Sequence, residues 1–172
     1  MTMNRMLRLL GAATLLCAAA AAPCLAEDDP NAFEEAPWQV PAAPQDADLL
    51  PPFYVSLSGI SFAIDAKSLT VDKDGVARYT MIATSKSGVK NVSYEGLRCE
   101  TRERKLYAVG NPDGGWTKAR DPQWLPIATQ GSTVPHASLA KEFVCKDSRV
   151  AGKPAAIVNE MRYHRTPFSP QT

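Results

Sequence analysis

The sequence predicts an α+β fold, in which an antiparallel β-sheet meander of about five to seven strands is followed by one or two C-terminal helices packed on one face. Three observations predict it. Between residues 53 and 118, short runs rich in β-branched and aromatic residues alternate with turn residues. From Ser138 onwards, apolar residues recur four positions apart, as on one face of a helix. The length of 172 residues corresponds to a single domain.

Residues 1–26 have the layout of a secretory signal peptide. Two arginines precede an apolar run from Leu9 to Ala22, and the segment ends at Ala26, just before the first acidic residue. An apolar run of this length is too short to span a bilayer about 30 Å thick. We therefore expect cleavage after Ala26 and export of the mature chain. The mature chain has no second long apolar stretch, so no transmembrane segment is expected in it.

Two cysteines near the end of this leader raise lipid anchoring as an alternative. Acylation would tether the chain to a membrane, but the residue before the modified cysteine should be small. Here Leu16 precedes Cys17 and Pro23 precedes Cys24. A lipoprotein is therefore not expected.

Residues 27–52 form a Pro-rich acidic arm. Proline fixes its own φ and has no backbone donor, so neither a long helix nor a central strand is expected here. Six prolines are spread along the segment: Pro30, Pro37, Pro41, Pro44, Pro51 and Pro52. Apolar residues such as Trp38, Val40 and Leu50 are too frequent for a solvated tether. We expect the latter half of the arm to lie along the domain surface.

The strands begin after the arm with three short candidates, Phe53–Leu57, Ser61–Asp65 and Ser68–Val71. A hairpin turn at Asp72–Gly75 then leads into Val76–Thr84, in which apolar and polar residues alternate. This alternation indicates a half-buried strand, with one face toward the core.

Two longer strands follow at Val89–Cys99 and Arg104–Gly110, and Trp116 begins a further extended stretch. Asp121–Pro126 is expected to break regular structure, because the residue before a proline avoids the helical conformation.

The C-terminal part predicts two helices. The first is expected from Ser138, and Pro154 suits the first turn of the last helix. The folded domain is expected to occupy residues 53–164. Residues 165–172 are expected to form a flexible tail.

Only two cysteines, Cys99 and Cys145, remain after removal of the leader. An exported chain reaches an oxidising space in which paired thiols persist as a disulfide. Two cysteines allow one pairing, which would join the end of a strand to the end of a helix. The alternative is a redox-active pair, although such cysteines usually stand two residues apart at the start of a helix.

The segment Asn91–Cys99, followed by Lys105–Gly110, resembles the cryptic neisserial protein family of small exported proteins from Gram-negative bacteria. The resemblance extends to Phe53–Val55, Asp74–Thr80, Pro112–Gly114, Trp116, Trp124, His136, Phe143 and Cys145. These features follow one another in order along most of the mature chain. The resemblance implies a periplasmic location, the disulfide and the fold, and it supplies no mechanism.

His136 and His164 are the histidines of the chain. A catalytic histidine needs an orienting carboxylate and a nucleophile within hydrogen-bond reach. We expect His136 to lie at the entry of a helix and to form local hydrogen bonds, and His164 to be solvated. Two histidines and two oxidised cysteines leave too few ligands for zinc, so neither a metal nor a cofactor is expected.

The densest polar and charged segment surrounds Tyr94 and indicates a binding surface. Alternation along the strand places Tyr94 and Arg98 on one face, and Glu95 with Cys99 on the other. If Cys99 faces the helices, Glu95 is buried and needs a partner such as an arginine. The candidate binding surface comprises Arg78, Tyr94, Glu95, Arg98, Trp116 and His136.

These features favour a non-catalytic binding or interaction module of the cell envelope. We expect it to bind an unknown envelope protein or ligand through the open face of the sheet. The arm would either dock on that face or reach to a partner. The balance of 19 Lys+Arg against 18 Asp+Glu lacks the basic excess of a nucleic-acid-binding protein. The alternatives are an envelope-directed hydrolase with His136 as base and a purely structural envelope protein.

Overall fold

The computed structural model describes residues 33–163 of the chain. The predicted signal peptide, the beginning of the arm, His164 and the predicted tail lie outside the described residues. Within them the chain forms one antiparallel sheet of eight strands, a small hairpin and two C-terminal helices. The predicted α+β architecture is confirmed.

The main sheet has the strand order β1-β2-β4-β5-β6-β7, in which β3 also pairs with β4 and β8 also pairs with β6. Its strands are β1 (Tyr54–Val55), β2 (Ser61–Ile64), β3 (Thr70–Val71), β4 (Val76–Thr84), β5 (Lys90–Arg98), β6 (Glu103–Gly110), β7 (Trp116–Lys118) and β8 (Trp124–Pro126). The hairpin consists of β9 (Cys145–Lys146) and β10 (Arg149–Val150). Pairing of β4 and β5 from Val76↔Arg98 to Thr84↔Lys90 forms the centre of the sheet.

Two strand predictions are wrong in instructive ways. Strand β4 is not half-buried, because residues 76–82 are all buried and the arm covers the face that was expected to meet solvent. Trp124–Pro126, which was expected to be irregular, pairs with Glu103–Lys105 of β6. Proline is tolerated in this position because a short strand at the edge of a sheet needs few backbone donors.

A β-bulge interrupts the pairing of β5 with β6. Tyr94 pairs with Ala108 and Glu95 pairs with Leu106, so Tyr107 has no partner across the ladder. An extra residue on one strand redirects a side chain. The ring of Tyr107 thus lies on the same face as Tyr94, with ring centroids 5.4 Å apart. Gly96 leaves room for it, since a Cβ at that position would lie only 2.5 Å from the Tyr107 hydroxyl.

The helices cover the opposite face of the sheet. Helix α1 (Val134–Leu139) starts before the predicted Ser138, with Pro135 in its first turn, and continues into a π-helical turn at Ala140–Val144. Helix α2 (Pro154–Tyr163) begins at the predicted proline. The apolar side chains that this layer buries in the main core are Leu139, Phe143, Val144, Ile157 and Met161, which pack with Ala77, Tyr79, Met81 and Leu97 of the sheet. We call this side of the sheet the helix face.

The disulfide joins the two layers. Cys99, directly after β5, is bonded to Cys145, at the start of β9, and their Cα atoms are 5.5 Å apart. The predicted pairing is confirmed. A cross-link over 46 residues stabilises a small domain by about 2–5 kcal/mol, largely by restricting the unfolded chain. Among residues 33–163, no helix is both long and apolar enough to cross a membrane.

Candidate functional site

Residues 33–41 of the arm lie over the second face of the sheet, which we call the arm face. Here Tyr94, Tyr107 and Ala108 form a small buried cluster, and Trp38 and Val40 of the arm pack against it. The ring centroids of Trp38 and Tyr107 are 4.5 Å apart. The arm therefore docks on the face that carries Tyr94, in the way that the sequence indicated.

Glu35 of the arm is the centre of the polar contacts on this face. Its Oε1 accepts a hydrogen bond from the Tyr107 hydroxyl at 2.6 Å, and its Oε2 accepts one from Lys105 Nζ at 2.6 Å. The guanidinium of Arg78 lies 3.6 Å from Oε1. Burial would raise the pKa of Glu35, but the hydrogen bonds from Lys105 and Tyr107 and the nearby positive charges lower it below its ordinary value.

Arg78 and its ion-pair partner Asp74 both hydrogen-bond to the backbone of the arm at Ala36. Its side chain is only 1 % exposed, and Nη2 lies 2.6 Å from Oδ2 of Asp74 and 3.3 Å from the carbonyl oxygen of Ala36. The same Oδ2 accepts a hydrogen bond from the backbone N–H of Ala36 at 2.8 Å. Burial raises the pKa of Asp74, but the Arg78 hydrogen bond and those of the backbone N–H groups of Ala36 and Val76 bring it below its ordinary value.

The edges of the arm face hold the arm at both ends. The guanidinium carbon of Arg98 lies 3.7 Å from the ring centroid of Phe33, an arrangement that favours cation–π attraction. Trp116 Nε1 donates a hydrogen bond of 2.9 Å to the carbonyl oxygen of Pro41. Of the residues predicted as a binding surface, Arg78, Tyr94, Arg98 and Trp116 thus come together on one face, and the arm contacts all four.

The other two predicted residues, Glu95 and His136, lie on the helix face. Glu95 is 5 % exposed, and its Oε2 accepts a hydrogen bond of 2.6 Å from His136 Nε2 of α1. Its Oε1 accepts one from the Ser93 hydroxyl, also at 2.6 Å. Burial would raise the pKa of Glu95, but His136, Ser93 and the charge of Arg104 lower it below its ordinary value.

These contacts meet one expectation and correct another. The buried carboxylate of Glu95 was expected to need a charged or donor partner such as an arginine, and the donor that meets it is a histidine. His136 was expected to bond locally, and it bonds across 41 residues of sequence. The reason is that α1 packs across β5, so that the helix-entry histidine faces the inward carboxylate. Spacing along one strand does not show which helix residue will meet it.

The Glu95 cluster has the wrong order of groups for hydrolysis. Catalysis by a histidine base requires the imidazole between the carboxylate and the nucleophile. Here the carboxylate lies between Ser93 and His136. His136 is only 7 % exposed, and it does not line the cleft beside the Cys99–Cys145 disulfide. The geometry gives no support to His136 as a hydrolytic base.

Sequence reasoning missed the residues that hold the arm most directly, which are Glu35, Asp74, Lys105 and Tyr107. A partial signal was present, because Glu35 lies three residues before Trp38 in an arm too apolar to be solvated. The bulge that turns Tyr107 toward the arm has no such signal in the pattern of side chains. Between residues 33 and 163, no group of three or more His, Cys, Asp or Glu residues is placed to hold a metal ion.

The fold and this site define a small, disulfide-linked α+β domain whose sheet binds its own N-terminal arm. The model of the CNP1-like family matches residues 28–162, and the chain belongs to that family. The resemblance noted in the sequence is thereby confirmed, and the match includes most of the arm as well as the domain. Searches of curated proteins and of solved structures find no significant match.

Proposed function

We propose that the protein is a non-catalytic binding module of the Gram-negative periplasm, whose arm face recognises an extended, acidic and aromatic segment of another envelope protein. One observation carries the proposal: this face holds a segment of that chemistry, its own arm. The carboxylate of Glu35 receives hydrogen bonds from Lys105 and Tyr107, each 2.6 Å long. A partner segment needs a carboxylate at this point and an aromatic ring where Trp38 lies.

The chemistry of the face suits an extended ligand better than a compact one. Its cations, Arg78, Arg98 and Lys105, follow the path of the arm, and its rings lie between them. Charged hydrogen bonds determine the register of a bound segment, while buried aromatic rings provide most of the affinity. Residues 33–41 form neither helix nor strand and carry two prolines, which fix φ and so reduce the chain entropy lost when such a segment binds.

The arm competes with any partner for this face. A tethered segment acts as a ligand at an effective concentration of about 1 mM or more. A partner is therefore expected to bind measurably only if it outcompetes the arm or if the arm is weakened. The test has to compare the native chain with a chain whose arm contacts have been removed.

The test uses a fluorescent nine-residue peptide with the sequence of residues 33–41 and measures its fluorescence anisotropy with the mature chain. The double variant Glu35→Gln/Trp38→Ala loosens the arm in place. We expect the peptide to bind this variant at least about tenfold more tightly than it binds the native chain. A further Lys105→Ala change in the variant is expected to abolish the gain, whereas Lys153→Ala, which removes an exposed lysine directly before α2, is expected to have no effect.

Equal, weak anisotropy in all these proteins would contradict the proposal. The arm face would then serve only to hold its own arm, which corresponds to a purely structural envelope protein. If the peptide binds as expected, photo-cross-linkers placed at Tyr94 in the variant can be used in periplasmic extracts to capture the partner.

The periplasmic location is part of the same proposal. Its support is the signal-peptide layout of residues 1–26, the Cys99–Cys145 disulfide and the family. Mass spectrometry of the protein from a periplasmic fraction is expected to give a chain that begins at Glu27. An uncut chain in the cytosolic fraction would contradict it.

A further inference from the structure

A cleft of about 530 Å³ lies on the helix side of the sheet, beside the disulfide. It is lined by the β5–β6 turn, the segment that leads into α1, the π-helical turn and the β9–β10 turn. A volume of this size is within the range of small-molecule sites. Apart from Arg98, which also contacts Phe33, the residues that hold the arm do not line this cleft, so an inference about the cleft does not depend on the proposed function.

All three non-glycine residues with positive φ in the described chain line this cleft. Arg102 has φ 55°, Asp147 has φ 49° and Ser148 has φ 61°. Glycine adopts this conformation without steric cost, and Asp147 and Ser148 occupy a two-residue hairpin turn in which Asn-Gly or Asp-Gly is preferred. The chain thus keeps side chains where glycine would be conformationally cheaper. Strained residues of this kind cluster at binding and catalytic sites.

A second irregularity borders the same cleft. The π-helical turn Ala140–Val144 contributes Ala140, Lys141 and Glu142 to its lining. Turns of this type are rare in proteins as a whole, and those that occur often lie at functional sites. The backbone irregularities come from separate elements of the fold, and they meet at one cavity.

The lining carries unpaired charges of both signs. Arg102 and Lys141 are the free cations, Glu142 and Asp147 are the free anions, and none of the four forms an ion pair with any described residue. Arg98 also borders the cleft, but its charge is paired with Glu103 at 3.2 Å. The lining also includes the apolar side chains of Ile127, Val134 and Ala137. The complement of this surface is a ligand with two separated opposite charges and an apolar body.

We propose that this cleft binds a small amphoteric ligand with an apolar body, the chemistry of a short apolar peptide with free ends. Arg102 binds the carboxylate of the ligand, and Asp147 binds its ammonium group. The hydroxyl of Ser148 stands beside Asp147 in the same turn and lines the same cleft. A peptide of three residues fits the available volume.

The test is isothermal titration calorimetry of the full mature chain with the tripeptide Ala-Val-Leu and two blocked forms of it. One form is N-acetylated and lacks the positive charge, and the other is C-amidated and lacks the negative charge. We expect the free tripeptide to bind and each blocked form to bind about tenfold more weakly, because each loses one charge-assisted hydrogen bond.

Two glycine variants connect each end of the ligand to one residue. Arg102→Gly is expected to weaken binding of the free tripeptide about tenfold and to have no effect on the C-amidated form. Asp147→Gly is expected to weaken the free tripeptide similarly and to have no effect on the N-acetylated form. Arg120→Gly removes the same charge as Arg102→Gly from an exposed loop outside the cleft, and it is expected to leave all affinities unchanged.

Thermal unfolding separates a binding role from a structural one. Glycine relieves the positive φ, so the melting temperatures of Arg102→Gly and Asp147→Gly are expected to be unchanged or raised while binding is lost. The proposal is overturned if the free tripeptide does not bind, if the blocked forms bind equally well, or if either variant loses stability together with affinity.

Discussion

At the scale of single residues, the buried contact between Glu95 and His136 is the feature that the sequence pattern shows least. A carboxylate on the core side of a strand is costly unless a donor meets it. Here the donor comes from α1, so one polar contact determines how that helix is placed on the sheet. The pair therefore positions α1 on the sheet, in keeping with the burial of both side chains.

The substitution His136→Ala is expected to lower the free energy of unfolding by about 3–5 kcal/mol, because it leaves the Glu95 carboxylate buried without its partner. Urea denaturation measures the change. The matched control is Lys90→Ala, which breaks an exposed ion pair with Asp46 and should cost less than about 1 kcal/mol. Equal effects of the two changes would mean that burial adds nothing to the His136 contact.

Gly96 provides a second prediction at this scale. In Gly96→Ala, the new methyl group would lie 2.5 Å from the Tyr107 hydroxyl, so the ring must move and the free energy of unfolding should fall by about 1–3 kcal/mol. Gly152→Ala is the control, since its Cβ would meet only Ala156 at an ordinary 3.8 Å. Chemical denaturation of both variants provides the comparison, and an unchanged Gly96→Ala protein would refute the close contact.

At the scale of elements, the arm is a segment of the chain that packs on the sheet through a small set of separate contacts. Its backbone is held at Ala36 by the Asp74 carboxylate, and its side chain at Glu35 is held by Lys105 and Tyr107. These contacts are local to residues 33–41 and are separate from the ladders of the sheet. Residues 33–41 can therefore open without the sheet unfolding, while Leu50 of the same arm stays hydrogen-bonded to Ile64 of β2.

Glu35→Gln is expected to accelerate hydrogen exchange at the Ala36 amide at least about tenfold, because the charge-assisted contacts that hold the arm are weakened. The amides of the β4–β5 ladder are expected to keep their protection. Glu34→Gln is the matched control, since the side chain of Glu34 is exposed. Hydrogen exchange followed by mass spectrometry measures both, and loss of protection throughout the sheet would show that arm and sheet unfold together.

At the scale of the whole molecule, the carboxylates with lowered pKa values lie at the two places where separate elements meet. Glu35 and Asp74 hold the arm, and Glu95 meets α1. A carboxylate whose pKa is lower in the folded state stabilises the fold above its ordinary pKa and loses this contribution as the pH falls through the lowered value. All three groups therefore act in the same direction.

The free energy of unfolding is expected to lose this carboxylate contribution below the ordinary glutamate value of 4.5, as the pH falls through the lowered pKa values. Urea denaturation at stepped pH values measures it. In Glu35→Gln the loss on acidification should be smaller, because one of the titrating groups is gone. An identical acid profile in the two proteins would contradict this account.

The sequence predicts much of the fold and less of the site. Strand β4, the start of α2 and the disulfide could be read from periodicity, proline position and the number of cysteines. The burial of both faces of β4 could not, because the arm that covers it is distant in sequence. The redirection of Tyr107 by a bulge and the meeting of Glu95 with His136 depend on tertiary packing, which neither strand nor helix records in its own pattern.

The docked arm has a consequence for how strongly any outside segment can be recognised. If the arm leaves the arm face open for about one part in a thousand of the time, a segment with an intrinsic nanomolar affinity would show an apparent micromolar affinity. If the arm face binds segments of other proteins, self-occupancy lowers the apparent affinity of each of them by the same factor. It would therefore set a minimum intrinsic affinity for measurable binding while leaving the ratio of affinities between two segments unchanged.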